Sequence, residues 1–393
     1  MGTIKLLDVW INRDLISRGF HHGAVAKRLT RYDAPRGYLV FGKGFATITE
    51  KRTIPSRKPG LKAADIAAKL RRETETETTY KVPVSPLQRR VAELRQFSQK
   101  LQSIHPNVFA KVLYKSILYQ DRHLIAINKP YGVPVYSNRG IRNSITGSLP
   151  VLAKIIDGMQ AGSQLHTCYS VEKDTTGVLL LARTEETAEH VRNLIKSHQM
   201  ESKYMVVTVG VPVPSEGVID IPIIEKEVAG SQHHYKMGLS PLYRVTEEGD
   251  GLKKVRAHRQ AHSAVTQYRV LDSSSGCSLV ELQPLTGVKH QLRVHMALGL
   301  ACPLLGDHKY SHWNKLAPQK LPEGVLRRLG LEQSKTRHLP LHLHVRQITL
   351  PVVKGRHDVT VSCPLPKYFT MTLKKLQIPL PEKPWETNVI SRT

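Results

Sequence analysis

Residues 172–183 place two carboxylates and a lysine directly before a run of apolar residues. The segment reads Glu-Lys-Asp-Thr-Thr-Gly-Val-Leu-Leu-Leu-Ala-Arg, so Glu172 and Asp174 stand where a polar loop meets a predicted strand. A carboxylate can act as a nucleophile or as the charged member of an ion pair. An arginine in contact with it lowers its pKa against the upward effect of burial. The sequence therefore directs attention to this loop and to any arginine that reaches it.

Four blocks of the sequence, this loop among them, form an ordered set. They are Leu-Ile-Ala-Ile-Asn-Lys-Pro-Tyr-Gly-Val-Pro-Val at 124–135, Tyr-Ser-Val-Glu-Lys-Asp-Thr-Thr-Gly at 169–177, Lys-Tyr at 203–204 and Leu-Thr-Gly-Val-Lys-His-Gln-Leu-Arg-Val-His at 285–295. In type and order they resemble the motifs of the RluA-type RNA pseudouridine synthases. That family reads Asn-Lys-Pro-x-Gly-x-Pro-Val after a strand, then His-Arg-Leu-Asp with a lysine, an acid and Thr-Thr-Gly, then a tyrosine, then Thr-Gly-Arg-x-His-Gln-Ile-Arg-x-His. The chain is identified as a member of that family over roughly residues 118–350 and looks most like its vertebrate mitochondrial members.

The resemblance implies the isomerisation of uridine to pseudouridine in RNA. The bond from ribose C1′ to N1 breaks, the uracil turns, and a bond from C1′ to C5 forms. No redox change occurs, so no cofactor is implied. The expected substrates are mitochondrial ribosomal, transfer or messenger RNA. Because the target lies in folded RNA, the base must be extruded at a cost of a few kcal/mol.

By the same resemblance, three residues form the expected catalytic set. Glu172 holds the place of the family's nucleophilic aspartate, whether attack is at C1′ or on the uracil ring. Arg293 holds the place of the arginine that keeps the carboxylate charged, and it lies on what reads as an apolar strand. Tyr204 is expected to stack on the uracil or to handle a proton at C5; the alternative is an aromatic side chain that fills the core.

The central four positions of the active-site motif depart from the family pattern. Tyr169, Ser170, Val171 and Glu172 stand where His-Arg-Leu-Asp is expected. The additional methylene of Glu172 moves its carboxylate, and a misplacement of about 1 Å can cost on the order of a hundredfold in rate. Ser170 lacks the reach and charge of the arginine that helps to fill the place of the extruded base. Two alternatives stay open: a catalytically impaired member that acts as an RNA-binding or ribosome-assembly factor, and a local error in the gene-derived sequence.

The charge of the chain indicates a polyanionic partner. Its formal net charge is +26, from 58 Lys and Arg against 32 Asp and Glu, and the excess continues beyond the N-terminus. RNA is the favoured partner, and a basic targeting segment with ordinary surface lysines is the alternative. Lys129 and Tyr131 are predicted to hold a phosphate and to stack on a base. Within the matching blocks, RNA contacts are also expected at Lys173, Lys203, Lys289, His290 and Gln291.

No metal site is predicted. His342 and His344 alternate on one predicted strand, and His290 lies near His295, yet neither pair comes with a third ligand of convincing spacing. The four cysteines are far apart and lie among apolar or small neighbours, so they are expected to be reduced and mostly buried.

The elements that must position these residues follow from apolar periodicity. Ser85 and Pro86 offer an N-cap and a first-turn proline for a helix with a basic outer face, and a second helix is expected over residues 186–198. Strands between and after them favour an α+β fold. By the resemblance, this is an RluA-type catalytic domain with a mixed, mainly antiparallel sheet, flanking helices and a central basic cleft. The predicted strands are 124–128, 178–182, 204–209, 217–224, 264–271, 278–282, 348–351 and 359–363.

The chain divides by composition into five segments. Residues 1–60 resemble a mitochondrial transit peptide, although Asp8 and Asp14 are unusual for one. The expected location is the mitochondrial matrix, with nucleus and cytoplasm as further compartments, and the expected protein partners are mitochondrial RNA-processing or ribosome-assembly proteins. No apolar run approaches the roughly 20 residues that a membrane-spanning helix needs. The remaining segments are a polar linker (61–84), a basic helical extension (85–117), the catalytic domain (118–379) and a flexible tail (380–393).

Overall fold

Most strands of the described chain join one large sheet. The computed structural model describes residues 3–4 and 85–380, apart from 139, 159–161, 229–233, 241–242, 246–251, 255–257, 314 and 352–357. The predicted transit segment beyond Thr3–Ile4, the linker 61–84 and the tail after Leu380 lie outside the described residues. The strands are β1 Thr3–Ile4, β2 Ile117–Gln120, β3 Leu124–Lys129, β4 His166–Thr167, β5 Thr176–Ala182, β6 Glu201–Val209, β7 Glu216–Asp220, β8 Ile223–Glu227, β9 Tyr235–Leu239, β10 Tyr243–Val245, β11 Leu252–Lys254, β12 Val265–Ser274, β13 Cys277–Pro284, β14 Leu343–Leu350 and β15 Val359–Ser362.

The large sheet has eleven strands and is mixed but mainly antiparallel. Its order is β1-β7-β12-β13-β6-β14-β5-β3-β2, with β15 paired to β14 and β4 paired to β5. Among the described pairs, β1 with β7 and β14 with β5 are parallel. Two small antiparallel hairpins, β8-β9 and β10-β11, lie outside this sheet. The predicted α+β architecture is confirmed.

Helices flank both faces of the sheet. The first begins where the sequence predicts it, because the Ser85 side chain accepts the Gln88 amide while Gln88 accepts the Ser85 amide, a complete capping box. The helices are α1 Pro86–Ser103, α2 Pro106–Lys115, α3 Ile145–Asp157, α4 Glu185–Lys196, α5 Gln291–Val294 continued by a π-helical turn at His295–Gly299, α6 Glu323–Leu329, a 3-10 helix at Gln333–His338, and α7 Lys367–Leu376.

The period-two pattern of β3 and β5 separates two layers of core. Ile127 and Leu179 face α2 and α3, packing with Phe109 among others. Ala126 and Leu180 face the opposite side, where α4 covers them. In a further cluster, α1 buries its Leu87 and Val91 against α6 and α7. Burial on both faces explains the nearly continuous apolar sequence of β5.

Two predicted strands differ from the structure. The predicted strand 217–224 is interrupted at Ile221 and Pro222, because a proline has no N–H for the ladder, so that β7 ends at Asp220 and β8 begins a separate hairpin. The predicted strand around Arg293 is instead helix α5. Four apolar or alternating residues are too few to distinguish the two periods.

Two further findings concern the whole of the described chain. No helix in the described ranges is long and apolar enough to cross a membrane. Cys168, Cys277, Cys302 and Cys363 are all unpaired and buried, as predicted.

Candidate active site

A cleft of about 430 Å³ opens where the loop before β5, strand β6 and the loop between β13 and α5 meet. Glu172 comes from the first, Tyr204 from the second and His290 from the third, so residues far apart in sequence line one cavity. This volume lies within the range of small-molecule pockets and suits a group the size of a nucleoside. The structure thus brings the predicted Glu172 and Tyr204 together.

Arg293 lies between two carboxylates, those of Asp307 and of the cleft residue Glu172. Its Nε and Nη2 donate to Asp307, at 2.8 Å to Oδ2 and 2.7 Å to Oδ1. Its Nη1 donates to Oε2 of Glu172. Asp307 has no exposed surface and Arg293 is 8% exposed, whereas the Glu172 side chain keeps 25% of its surface open to the cleft. Asp307 therefore holds the guanidinium from behind, and Glu172 is the carboxylate that faces the cavity.

The pKa of Glu172 lies above the ordinary value for a glutamate. Burial is the largest cause, and Arg293 opposes it through its charge and its hydrogen bond. Asp307 and Asp174 add repulsion that raises the pKa further. Burial, the largest single cause, lowers the pKa of Arg293, but the hydrogen bond and charge of Asp307 and the charge of Glu172 together raise that pKa above its ordinary value, so the guanidinium stays charged.

Tyr310 supports the arginine from one side. Its ring centre lies 5.0 Å from the guanidinium carbon of Arg293, a distance suited to a cation–π contact. The Tyr310 hydroxyl accepts the Met237 amide at 3.3 Å and shares a hydrogen bond of 2.5 Å with Nδ1 of His290. Nε2 of His290 lies 3.8 Å from Glu172 Oε2. Burial and Arg293 lower the pKa of His290 to about 3, which keeps the ring neutral.

Tyr204 and Lys203 lie on opposite faces of the sheet because successive strand residues alternate. Tyr204 lines the cleft, and burial raises its pKa to about 12, so the phenol is protonated near neutral pH. Lys203 lines a separate depression with Glu216, Arg269 and Glu281. The prediction that Lys203 contacts RNA therefore finds no support from the cleft that holds Tyr204.

Lys129 is placed differently from its prediction. Its side chain has no exposed surface, and Nζ donates to the carbonyls of Pro130 at 3.1 Å, Lys173 at 2.8 Å and Thr175 at 2.8 Å. Burial lowers its pKa to about 7, against the attraction of Asp174 and Glu172. All its donors are engaged inside the protein, which contradicts the prediction that Lys129 binds a phosphate. Lys129 instead fastens the segment that follows Glu172.

Gln291 is likewise internal. It accepts from Thr286 at 2.8 Å and from the Val288 amide at 3.1 Å, and it donates to Thr266 at 2.9 Å. Only 3% of it is exposed, although it lines the cleft, so its polar atoms are largely committed to the protein and its predicted RNA contact stays a prediction. Its bonds to Thr286 and Val288 hold together the loop that includes Lys289 and His290. Lys289 is exposed at the rim, 3.1 Å from Glu225, and Lys173 is exposed beside the cleft.

The loop around Glu172 is fixed at both ends. Before it, the hydroxyl of Tyr169 donates to the Val178 carbonyl at 3.2 Å, which gives this residue a structural contact. After it, Gly177 has φ of +106°, and a Cβ there would lie 2.2 Å from the carbonyl oxygen of Val345 in β14. Only glycine permits that backbone and that approach. The Thr-Thr-Gly part of the motif thus serves the contact between β5 and β14.

Sequence reasoning missed Asp307. The signal was an acid directly after Leu-Leu-Gly at 304–306, since a carboxylate inside an apolar segment needs a cationic partner. Backbone amides of Lys309 and Tyr310, each 3.0 Å from Oδ1, complete its hydrogen bonds. His342 and His344, set aside as metal ligands, are buried and hydrogen-bonded to the Pro340 carbonyl and to Thr176.

Comparison with known proteins gives concordant matches. The sequence profile described as "RNA pseudouridylate synthase" matches residues 123–298. The chain is 68% identical over 342 residues to "Pseudouridylate synthase RPUSD4, mitochondrial" of Danio rerio, covering 86% of this chain and 96% of that protein. It is 50% identical over 331 residues to the Homo sapiens protein of the same name, covering 84% and 87%.

A solved structure agrees in fold. "Human RNA Pseudouridylate Synthase Domain Containing 4" superposes with a TM-score of 0.64 at 49% identity, covering 70% of this chain and 98% of that one. The large mixed sheet and its helices are therefore shared with an experimentally determined structure.

Proposed function

Because the chain belongs to the RNA pseudouridylate synthase family, we propose that its cleft isomerises uridine with Glu172 as the acting carboxylate. The protein is a pseudouridine synthase of the mitochondrion. The observation that carries the role of Glu172 is its contact with Arg293, which is itself fixed by Asp307. Arg293 favours the charged form of this carboxylate against the burial that raises its pKa, and the carboxylate faces a cavity of nucleoside size.

The roles of the cleft residues follow from their positions. Glu172 attacks either C1′ of the ribose or the uracil ring, and the uracil turns while it stays bound. Tyr204 stacks on the ring, and as a neutral phenol it is placed to pass a proton as C5 loses its hydrogen and N1 gains one. Arg293 keeps Glu172 ionised as the bond to N1 breaks. The isomerisation is redox-neutral.

The substrate is ribosomal, transfer or messenger RNA of the mitochondrion, and the protein works in the matrix with RNA-processing or ribosome-assembly proteins. The charge of +26 supports a nucleic-acid partner. The positions of Lys173, Lys289 and His290, at the cleft or its rim, support this role. We place the catalytic domain at residues 118–379, preceded by the helical extension 85–117.

The test is to incubate the purified full-length protein with mitochondrial RNA and to map pseudouridine chemically. We expect new pseudouridine with the unaltered protein and none with Glu172→Ala. RNA binding without pseudouridine in both proteins would reassign the chain to an RNA-binding or assembly factor. Equal activity in both would show that another group acts in place of Glu172.

A further inference from the structure

A second cavity of about 320 Å³ lies between α1 and the residues around the end of the 3-10 helix. We call it the α1 groove. Its lining includes Arg95 and Ser98 from α1, Tyr131 from the loop after β3, and Arg337 and His338 from the 3-10 helix. None of the described residues that line it is acidic.

The polar groups that the groove presents are mainly donors. Nη1 of Arg95 lies 3.2 Å from Nδ1 of His338. Because a guanidinium has no acceptor, this ring nitrogen accepts and Nε2 of His338 carries the proton. Slight burial, with Arg95, Arg337 and Lys335 nearby, lowers the pKa of His338, which fits a field of positive charge. Two guanidinium groups and a ring N–H thus face a cavity without a carboxylate of its own.

The groove shares a wall with the catalytic segment. The Gly132 amide donates to the carbonyl of Lys173, the residue after Glu172, at 2.8 Å. Gly132 also lies tight against α1: its φ is +75°, and a Cβ on it would lie 2.0 Å from the hydroxyl oxygen of Ser98. Tyr131 is therefore held between α1 on one side and the loop of Glu172 on the other.

We propose that the α1 groove binds the phosphate backbone of the substrate RNA next to the extruded uridine. The proposal rests on the proposed function, because it takes RNA as the substrate. Guanidinium groups match phosphate oxygens in geometry and charge, and such contacts fix the register of a nucleic acid on a protein. Helix α1 thereby contributes Arg95 to the RNA-binding surface, whereas Arg90 lies outside the groove.

The experiment measures the binding of the full-length protein to a synthetic RNA hairpin with uridine in its loop, over a series of salt concentrations. Arg95→Ala/Arg337→Ala is compared with Arg90→Ala, an exposed arginine of the same helix that pairs with Glu93 at 2.6 Å. Each lost phosphate contact flattens the slope of log K against log salt by about 0.7 to 0.9. We expect the double variant to flatten it by about 1.5 and to weaken binding on the order of tenfold at moderate salt, and Arg90→Ala to change neither.

Two further proteins separate charge from folding. Arg95→Lys/Arg337→Lys keeps both charges and should keep most of the slope of log K against log salt. Arg337→Ala alone, at an exposed site, should flatten that slope by about half as much as the double alanine variant. An unaltered slope in the double alanine variant overturns the proposal, as does an equal loss in the lysine variant. Pseudouridine mapping of the unaltered protein is scored separately. A silent enzyme whose slope still depends on Arg95 and Arg337 contradicts the catalytic proposal alone.

Discussion

Arg293 and Asp307 form a two-point ion pair in the interior, with Nε 2.8 Å from Oδ2 and Nη2 2.7 Å from Oδ1. This pairing leaves Nη1 as the nitrogen that meets Glu172. Asp307 follows Gly306, whose φ is +82° and whose position would bring a Cβ within 2.0 Å of the Pro340 carbonyl oxygen. The backbone thus fixes Asp307, Asp307 fixes Arg293, and Arg293 meets the carboxylate in the cleft.

Asp307→Ala is expected to destabilise the fold by about 3 to 5 kcal/mol, because it leaves the buried Arg293 with only the partly exposed Glu172 as a carboxylate partner. The free energy of unfolding in urea measures this. Glu323→Ala removes the partner of Arg327 in an exposed ion pair at the first turn of α6 and serves as the control, for which a loss of at most about 1 kcal/mol is expected. A loss no larger than that of the control would contradict the proposed structural role.

Glu172→Asp is expected to lower the single-turnover rate on the order of a hundredfold. The glutamate side chain reaches Arg293 from its present backbone position. A side chain shorter by one methylene moves the carboxylate away from Arg293 by about 1 Å. Pseudouridine formation at saturating RNA is the measurement, with Glu216→Asp, outside the cleft, as the control. A faster aspartate variant would mean that the loop can move to suit the shorter side chain.

The pH dependence of kcat/KM should have an acid limb above the ordinary glutamate pKa of about 4.3. Burial raises the pKa of Glu172, so the active, ionised form is lost at a higher pH than in an exposed glutamate. Below that pKa the rate constant falls tenfold per pH unit. Arg293→Gln removes the charge that opposes the shift, and the limb should then move to still higher pH. If the acid limb of Arg293→Gln lies at the same pH as in the unaltered protein, Glu172 is not the group whose protonation causes it.

Lys129→Met is expected to slow catalysis on the order of tenfold to a hundredfold while Glu172 itself is untouched. The substitution removes the donor that holds the Lys173 and Thr175 carbonyls, and a small displacement of the segment moves the acting carboxylate. Hydrogen exchange at the Gly132 amide, bonded to Lys173, should become faster. Lys196→Met, at the end of α4, is the control, and unchanged exchange in the Lys129 variant would contradict this positioning role.

Folding stability should fall as the pH drops from about 6.5 toward 4. Burial lowers the pKa values of His295, His342 and His344 to about 4, so the folded state keeps them neutral while the unfolded state binds protons. Each such residue lowers the free energy of unfolding by about 1.4 kcal/mol per pH unit in that window. Urea unfolding at several pH values measures this. His342→Gln should reduce the slope by one residue's share, and the same change at the exposed His190 is the control.

The fold and the place of the site were largely predictable from the sequence. The capping pair at Ser85, the apolar periods of β3 and β5, and four ordered motifs led to the sheet, the family and the loop of Glu172. These signals are local, or they lie in short motifs that can be recognised in a single sequence. The pairing of Glu172 with Arg293 was expected from the motifs, and the geometry agrees.

The supporting contacts were not predictable in the same way. Lys129 reads as a phosphate binder because lysines are usually exposed, yet three carbonyls from the fold enclose it. Gln291 bonds to Thr266, which is 25 residues away in the sequence, and Asp307 bonds to Arg293, which is 14 residues away. No local pattern reveals such partners. Lys203 adjoins Tyr204 in sequence, but the alternation of the strand sends it to the other face.

The position of β14 in the sheet determines when the catalytic centre is completed as the chain is made. Strand β5 follows the loop that holds Glu172, and strand β6 holds Tyr204. In the sheet these two strands are separated by one strand, β14. That strand comes from Leu343–Leu350, late in the chain, and pairings between distant segments form slowly. Because synthesis proceeds from the N-terminus, a nascent chain displays its basic extension well before it has a working centre. Enzymatic competence is thus deferred until almost the whole domain has been made.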